Sequence, residues 1–160
     1  MKTLYVLRHA KSSWNTPGQA DFDRPLNERG KRDAPAMGAL MKEKGFEPDL
    51  ILSSPAQRAK ETARLVKEAA GFTAEIKFEP GIYEASLADL LKIISEVEGV
   101  SEKVLLVGHN PGLEYLLMSL TGEMNSMPTA ALAEIELAIE QWSEIIKGGK
   151  LKNLFKPKEI

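Results

Sequence analysis

Apolar and polar positions fall along the chain in blocks of two kinds, short runs and longer one-sided stripes. The first apolar run is Leu4-Tyr5-Val6-Leu7, and it stops abruptly at Arg8-His9. A short apolar run bounded by polar residues predicts a buried strand, here about Thr3–Arg8, that delivers its last side chains to a sheet edge. Val104-Leu105-Leu106-Val107 repeats the pattern and stops at Gly108-His109, which predicts a strand over Lys103–Gly108. The chain has two histidines, and both follow such runs. Asp49–Ser53 and Ala74–Phe78 predict two further strands between them. Ala131–Leu137 alternates weakly and predicts a fifth strand, and Leu151–Phe155 predicts an edge strand that Pro157 ends.

The longer blocks carry helix signals. Leu26–Lys44 reads as a helix with Asn27 or Asp23 as its cap, Gly45 at its end, and a kink or break at Pro35. Ser54-Pro55 predicts an N-cap and first helical residue, opening a helix that runs to about Ala70 and stops at Gly71. Ser86-x-x-Asp89 resembles a capping box, and Leu87, Leu90, Leu91, Ile94 and Val97 form one face behind it. Asn110-Pro111 predicts another cap, with a helix to about Leu120 closed by Thr121-Gly122. Ala10–Arg24 and Gly122–Thr129 read as loops, and Trp142–Ile146 fits neither template. Strands and helices alternate, then short strands follow, which predicts an α/β fold with a mostly parallel sheet. No repeat, linker or low-complexity stretch divides residues 1–160, so one domain is expected.

In such folds ligands bind beyond the carboxyl ends of the strands. The ends of strands one, two and four should therefore converge, bringing Arg8 and His9, then Ser53, Ser54 and Arg58, then His109 to one edge. Arg58 is the unusual member. It falls in the first turn of a helix, where negative charge is favoured, and makes sense if an anion binds there among free N–H groups. Arginine donors match phosphate oxygens, and the helix starts after Ser54 and Asn110 add more donors. A phosphoryl group is the natural ligand.

Composition narrows the chemistry. The apolar fraction of 43% suffices for an ordinary core, and the absence of cysteine excludes disulfides, thiolate catalysis and cysteine metal sites. A net charge of -2 offers no global field for nucleic acid or an anionic membrane. No segment approaches the length of a membrane span or a signal-peptide core, so a cytoplasmic protein is expected. Metal binding needs three or four ligands, and no H-x-x-H or histidine–carboxylate cluster occurs; no metal and no cofactor are expected. What remains is a neutral histidine as nucleophile toward phosphorus, with Arg8, Arg58 and His109 holding the oxygens. Glu84, in a loop beside the same edge, is the carboxylic acid available to protonate a leaving group. Blander readings stand beside these: a surface carboxylate for Glu84, an Asx-turn for Asn15, packing for Trp14. A solvated face suits Arg24, Glu28, Arg29, Lys31 and Arg32, least securely Arg24 and Arg29.

The same residues resemble a known family. Arg8-His9-Ala10-Lys11-Ser12-Ser13-Trp14-Asn15 resembles the Arg-His-Gly motif of the histidine phosphatase (phosphoglycerate mutase-like) superfamily, with Ala10 in place of glycine. Ser53-Ser54-Pro55-Ala56-Gln57-Arg58-Ala59-Lys60-Glu61-Thr62-Ala63 and Val107-Gly108-His109-Asn110-Pro111 are similar to its second and third signatures. The short chain, Asp23-Arg24-Pro25-Leu26-Asn27-Glu28-Arg29-Gly30 and Pro128-Thr129-Ala130-Ala131 resemble its SixA-type branch, the phosphohistidine phosphatases. The resemblance implies a three-layer α/β/α domain and a metal-independent phosphatase. It implies His9 as the phosphorylated nucleophile, Arg8, Arg58 and His109 as phosphoryl-holding groups, Asn15 as a phosphate contact and Glu84 at the proton-donor position. Ser54 and Asn110 are expected at the substrate. The expected substrate is a phosphohistidine protein; a small phosphorylated metabolite, handled by a phosphomonoesterase or mutase, is the alternative. A non-catalytic phosphate-binding module is the third reading, disfavoured because a pure binder needs no nucleophile.

Overall fold

The apolar runs stand side by side in the middle of the molecule. The computed structural model describes residues 1–160, in which six strands form one sheet of order β3-β2-β4-β1-β5-β6. These are β1 (Lys2–Arg8), β2 (Leu50–Ser53), β3 (Ile76–Phe78), β4 (Lys103–Gly108), β5 (Leu132–Leu137) and β6 (Lys150–Phe155). The first four run parallel; β5 pairs antiparallel with β1, and β6 antiparallel with β5. Successive side chains on a strand face opposite ways. Leu4, Val6, Val104 and Leu106 therefore enter one core, while Tyr5, Leu7, Leu105 and Val107 enter the other. The helices α1 (Glu28–Lys44) and α2 (Gln57–Ala70) cover the second core. On the first lie α3 (Leu87–Ser95) and α4 (Gly112–Thr121). The expected three-layer α/β/α architecture is the one observed.

Register decides where the strand ends fall. Val107 pairs with Leu7 on one side and with Ser53 on the other, so β1, β2 and β4 finish level. The ladder continues one step, with His9 N–H donating to Gly108 C=O at 3.1 Å and Ser54 N–H to Val107 C=O at 3.1 Å. Residues a hundred positions apart are thereby fixed on one edge by backbone bonds alone.

Several helix boundaries follow the sequence signals. Asn27 caps α1 by accepting from Gly30 N–H, Gly45 ends it in the left-handed conformation at φ 72°, and Ser86 and Asp89 form the capping box of α3. Pro35 does not break α1; it lies inside the continuous helix Glu28–Lys44. Two caps differ. α2 begins at Gln57, not at Pro55, because the Ser54 hydroxyl accepts only from Ala56 N–H and faces a histidine. α4 begins at Gly112, because the Asn110 amide donates to Glu114 and Met127 instead of capping. A side chain at Gly112 would stand 2.7 Å from the Ala85 carbonyl, so glycine lets α4 start hard against the loop before α3. The ambiguous stretch Trp142–Ile146 lies in a 3-10 helix over Trp142–Lys147, whose buried Trp142 donates to Ser101 C=O at 2.6 Å.

Candidate active site

At the level ends of β1 and β4 the two imidazoles meet, with ring centroids 5.1 Å apart and planes inclined by 50°. His9 is only 7% exposed. Its Nδ1 lies 2.8 Å from Ala10 C=O. A carbonyl only accepts, so Nδ1 carries the hydrogen and Nε2 of the neutral ring keeps its lone pair. Burial pushes the His9 pKa down to about 3, helped by His109, Arg58 and Arg8 and opposed by the bond to Ala10. The neighbouring backbone is tied to α2: Ala10 N–H donates to Thr62 Oγ1 at 2.9 Å, and that hydroxyl donates to Arg58 C=O at 2.7 Å.

His109 is oriented from behind. Its Nε2 lies 2.8 Å from Ser54 Oγ, which accepts from Ala56 N–H at 3.1 Å. With Nε2–H donating to the Ser54 hydroxyl, the ring hydrogen of neutral His109 lies on Nε2; with the hydroxyl donating to Nε2, it lies on Nδ1. That Nδ1 is buried without a protein partner. Burial lowers the His109 pKa to about 4, with Arg58 and Arg8 adding to it and Asp21 opposing.

Both arginines are held by one side of the guanidinium. Arg8 Nη1 donates to Met127 C=O at 3.1 Å, and its Nε is buried with no partner. Desolvation lowers the Arg8 pKa from its ordinary value, with Glu114 opposing. Arg58, 7% exposed, gives Nη1 to Asp21 C=O at 2.8 Å and Nη2 to Asp21 Oδ2 at 3.1 Å. Asp21 also accepts from Tyr83 Oη at 2.7 Å and from Arg24 Nη1 at 2.9 Å. The Tyr83 bond and the two arginines hold the Asp21 carboxyl down at about 2. Tyr83 in turn sets its ring edge-on to His109, centroids 5.6 Å apart. Buried donors without partners are rare in native proteins. Arg8 Nε and His109 Nδ1 are two such groups at the same sheet edge as His9, where an oxyanion would supply the missing acceptor.

The expected residues divide. Arg8, His9, Arg58 and His109 come together. Glu84 lines a cavity of about 510 Å³ with Arg58, His109, Asn110, Pro111 and Tyr115, and stands exposed on it at a left-handed φ of 55°. Ser54 lies behind His109, fully buried, and is not at the substrate position expected of it. Asn110 reaches the cavity wall; its amide nitrogen donates to Glu114 and Met127, while its Oδ1 is buried without a partner. Asn15 is exposed; its side chain bonds to nothing, while its N–H donates to Ser13 Oγ. Trp14 stacks on the Arg24 guanidinium, and Arg24 is buried, not solvated. Asp21, Tyr83, Thr62 and Glu114 complete the surroundings and were not singled out by pattern. No group of three or more His, Asp or Glu side chains is arranged to hold a metal.

The family model of the histidine phosphatase superfamily, branch 1, matches residues 4–99. An uncharacterized chloroplastic protein of Arabidopsis thaliana is 32% identical over 98% of this chain and 78% of its own length. The crystal structure of a protein assigned as the phosphohistidine phosphatase SixA of Agrobacterium tumefaciens superposes with a TM-score of 0.84 at 32% identity, covering 98% of both chains. The protein histidine phosphatase SixA solved with tungstate shares the fold at a TM-score of 0.81, 22% identity and 98% coverage of each chain. The aligned strand ends, the paired imidazoles and these matches lead to one conclusion: the chain belongs to the histidine phosphatase superfamily, branch 1, and is a phosphatase.

Proposed function

We propose that the chain hydrolyses phosphoryl groups through a covalent phosphohistidine at His9, and that its substrate is a phosphohistidine side chain on a protein. The observation that carries the reading is the fixed tautomer of His9. With Nδ1–H given to Ala10 C=O, the unprotonated Nε2 is the only ring atom that can attack. Burial keeps it unprotonated at neutral pH.

In the first step the Nε2 lone pair forms a bond to phosphorus as the bond to the leaving nitrogen breaks; the substrate imidazole, already protonated on its other ring nitrogen, keeps the electron pair and leaves as a neutral ring. Arg8, Arg58 and His109 Nδ1–H take up the charge gathering on the equatorial oxygens. The phosphorylated ring keeps its Nδ1–H and is cationic, with Ala10 C=O stabilising it. A cationic imidazole is a good leaving group, so water attacks phosphorus, the Nε2–P bond breaks, and phosphate and neutral His9 are regenerated. Ser54 serves by holding His109 in the donating tautomer.

Two observations support a protein substrate. The similar chain from Agrobacterium tumefaciens, of matching length, is assigned to phosphohistidine. The cavity beside the strand ends is lined in part by the exposed side chains Glu84 and Tyr115, so it opens to solvent and can admit a side chain carried on a protein. No helix is long and apolar enough to cross a membrane, and the cysteine-free composition suits the cytoplasm. Glu84 on the cavity wall favours a second reading, hydrolysis of small oxygen esters, because an alkoxide needs a proton that a phosphoramidate nitrogen readily acquires. Turnover of a phosphohistidine protein, a phosphoserine peptide and a sugar phosphate separates the two. Preference for the phosphohistidine protein is expected; preference for the sugar phosphate would overturn the substrate assignment.

A further inference from the structure

We propose that Asp21 is a positioning residue that sets the plane of the Arg58 guanidinium for the phosphoryl group, an inference that rests on the reading above. Asp21 binds Arg58 twice, through its carbonyl to Nη1 at 2.8 Å and through Oδ2 to Nη2 at 3.1 Å. Two contacts from one residue fix both the position and the tilt of a planar group. They consume one hydrogen on each Nη and leave Nε–H and the second hydrogen of each Nη for an anion.

The carboxylate is itself held from two further sides. Oδ1 takes Arg24 Nη1 at 2.9 Å, and Oδ2 takes Tyr83 Oη at 2.7 Å. Arg24 is anchored by Ser13 C=O at 3.1 Å and Ser12 Oγ at 2.6 Å, so the loop after β1 is stitched to itself before it reaches Arg58. Tyr83 connects the same carboxylate to the flank of His109. One side chain thus joins the loop after the nucleophile, the start of α2 and the segment beside the second histidine. The Asp21 side chain is 46% exposed and its 3-10 turn buries no residue, so the contact adds little to the core. The pair is half-buried, with the Arg58 side chain 9% exposed, so thermal midpoints must accompany the kinetics to separate lost stability from lost orientation.

Asp21 does not touch the reacting atoms; it acts through Arg58. A double-mutant cycle isolates that dependence. The four proteins are wild type, Asp21→Ala, Arg58→Ala and the double variant, assayed for aryl phosphate turnover and orthovanadate inhibition, with thermal midpoints alongside. Asp21→Ala should lower kcat/KM by at least about tenfold and weaken vanadate similarly in the wild-type background, with nearly no effect once Arg58 is absent. Asp21→Asn, which keeps an oxygen at the same place, should recover part of the loss. Equal losses in both backgrounds, or wild-type kinetics in Asp21→Ala, would overturn the proposal. Wild-type protein that forms no phosphoenzyme would instead overturn the underlying reading, so the two failures are distinguishable.

Discussion

Ser54→Ala is the substitution on which the site's logic can be examined most closely. The hydroxyl is fully buried and makes two bonds, accepting from Ala56 N–H at 3.1 Å and lying 2.8 Å from His109 Nε2. Alanine fits the space but leaves both partners unsatisfied. A buried polar group stripped of its partner costs about 1–3 kcal/mol. Ala56 is fully buried, so its N–H bears that cost as well, and a total of about 2 kcal/mol or more is expected. For a chain of this size that corresponds to a fall in thermal midpoint of roughly 4–8 °C. The catalytic effect has a separate origin. Without the Ser54 hydrogen, His109 is free to carry its own hydrogen on Nε2, and then Nδ1 faces the phosphoryl oxygens as an acceptor. Loss of one preorganised oxyanion donor costs about 10²–10³ in kcat when complete. Because the ring can still adopt the donating tautomer part of the time, a fall of about 10–100-fold is expected. Steady-state turnover of an aryl phosphate measures the rate, and nitrogen chemical shifts of the His109 ring report the tautomer. Ser54→Ala with wild-type kcat, or wild-type His109 carrying its hydrogen on Nε2, would refute the reasoning.

Four further outcomes follow from the same geometry. Because burial depresses both histidines, to about 3 and about 4, their ring signals should stay neutral from pH 8 to pH 5; a midpoint near 6.5 would contradict it. The unfolded chain binds more protons than the folded one between pH 4 and about 6.5, so the urea midpoint should fall as pH drops through that window. Asp21, lowered to about 2, adds its own loss only below about pH 4. Arg58→Lys should weaken orthovanadate inhibition by about 100-fold or more, since a point charge cannot hold Asp21 and the phosphoryl group together; unchanged inhibition would remove Arg58 from the phosphoryl site. Glu84→Gln should slow oxygen esters while sparing phosphohistidine, and equal losses on both would give Glu84 a different role.

The positions of the histidines were legible because strand ends are. An apolar run of fixed length that stops at Arg8-His9 or Gly108-His109 says where the sheet edge lies, and parallel pairing brings such edges level. Arg58 was legible as a cation where a helix start disfavours one. The cap of α2 was not. Ser54-Pro55 carries a proper capping signature, yet the hydroxyl faces His109, and a tertiary partner overrode a local preference. Asn110 left its expected cap for Glu114 and Met127 in the same way. Asp21 escaped because loop residues carry no periodicity, and its importance depends on Arg58, Arg24 and Tyr83, which only the folded chain brings to it. Pro35 was weighted too heavily: it lies half-buried within one continuous helix, Glu28–Lys44, whose packing on α2 outweighs the one bond the proline lacks.

The central claim is that phosphate passes through the ring of His9. Rapid quenching of the enzyme during turnover of a labelled phosphorylated substrate, followed by peptide mapping, tests it directly. The account predicts label on His9, lost in acid and retained in base as for a phosphoramidate, and absent from His9→Ala. Label on another residue, or undiminished turnover by His9→Ala, would contradict it.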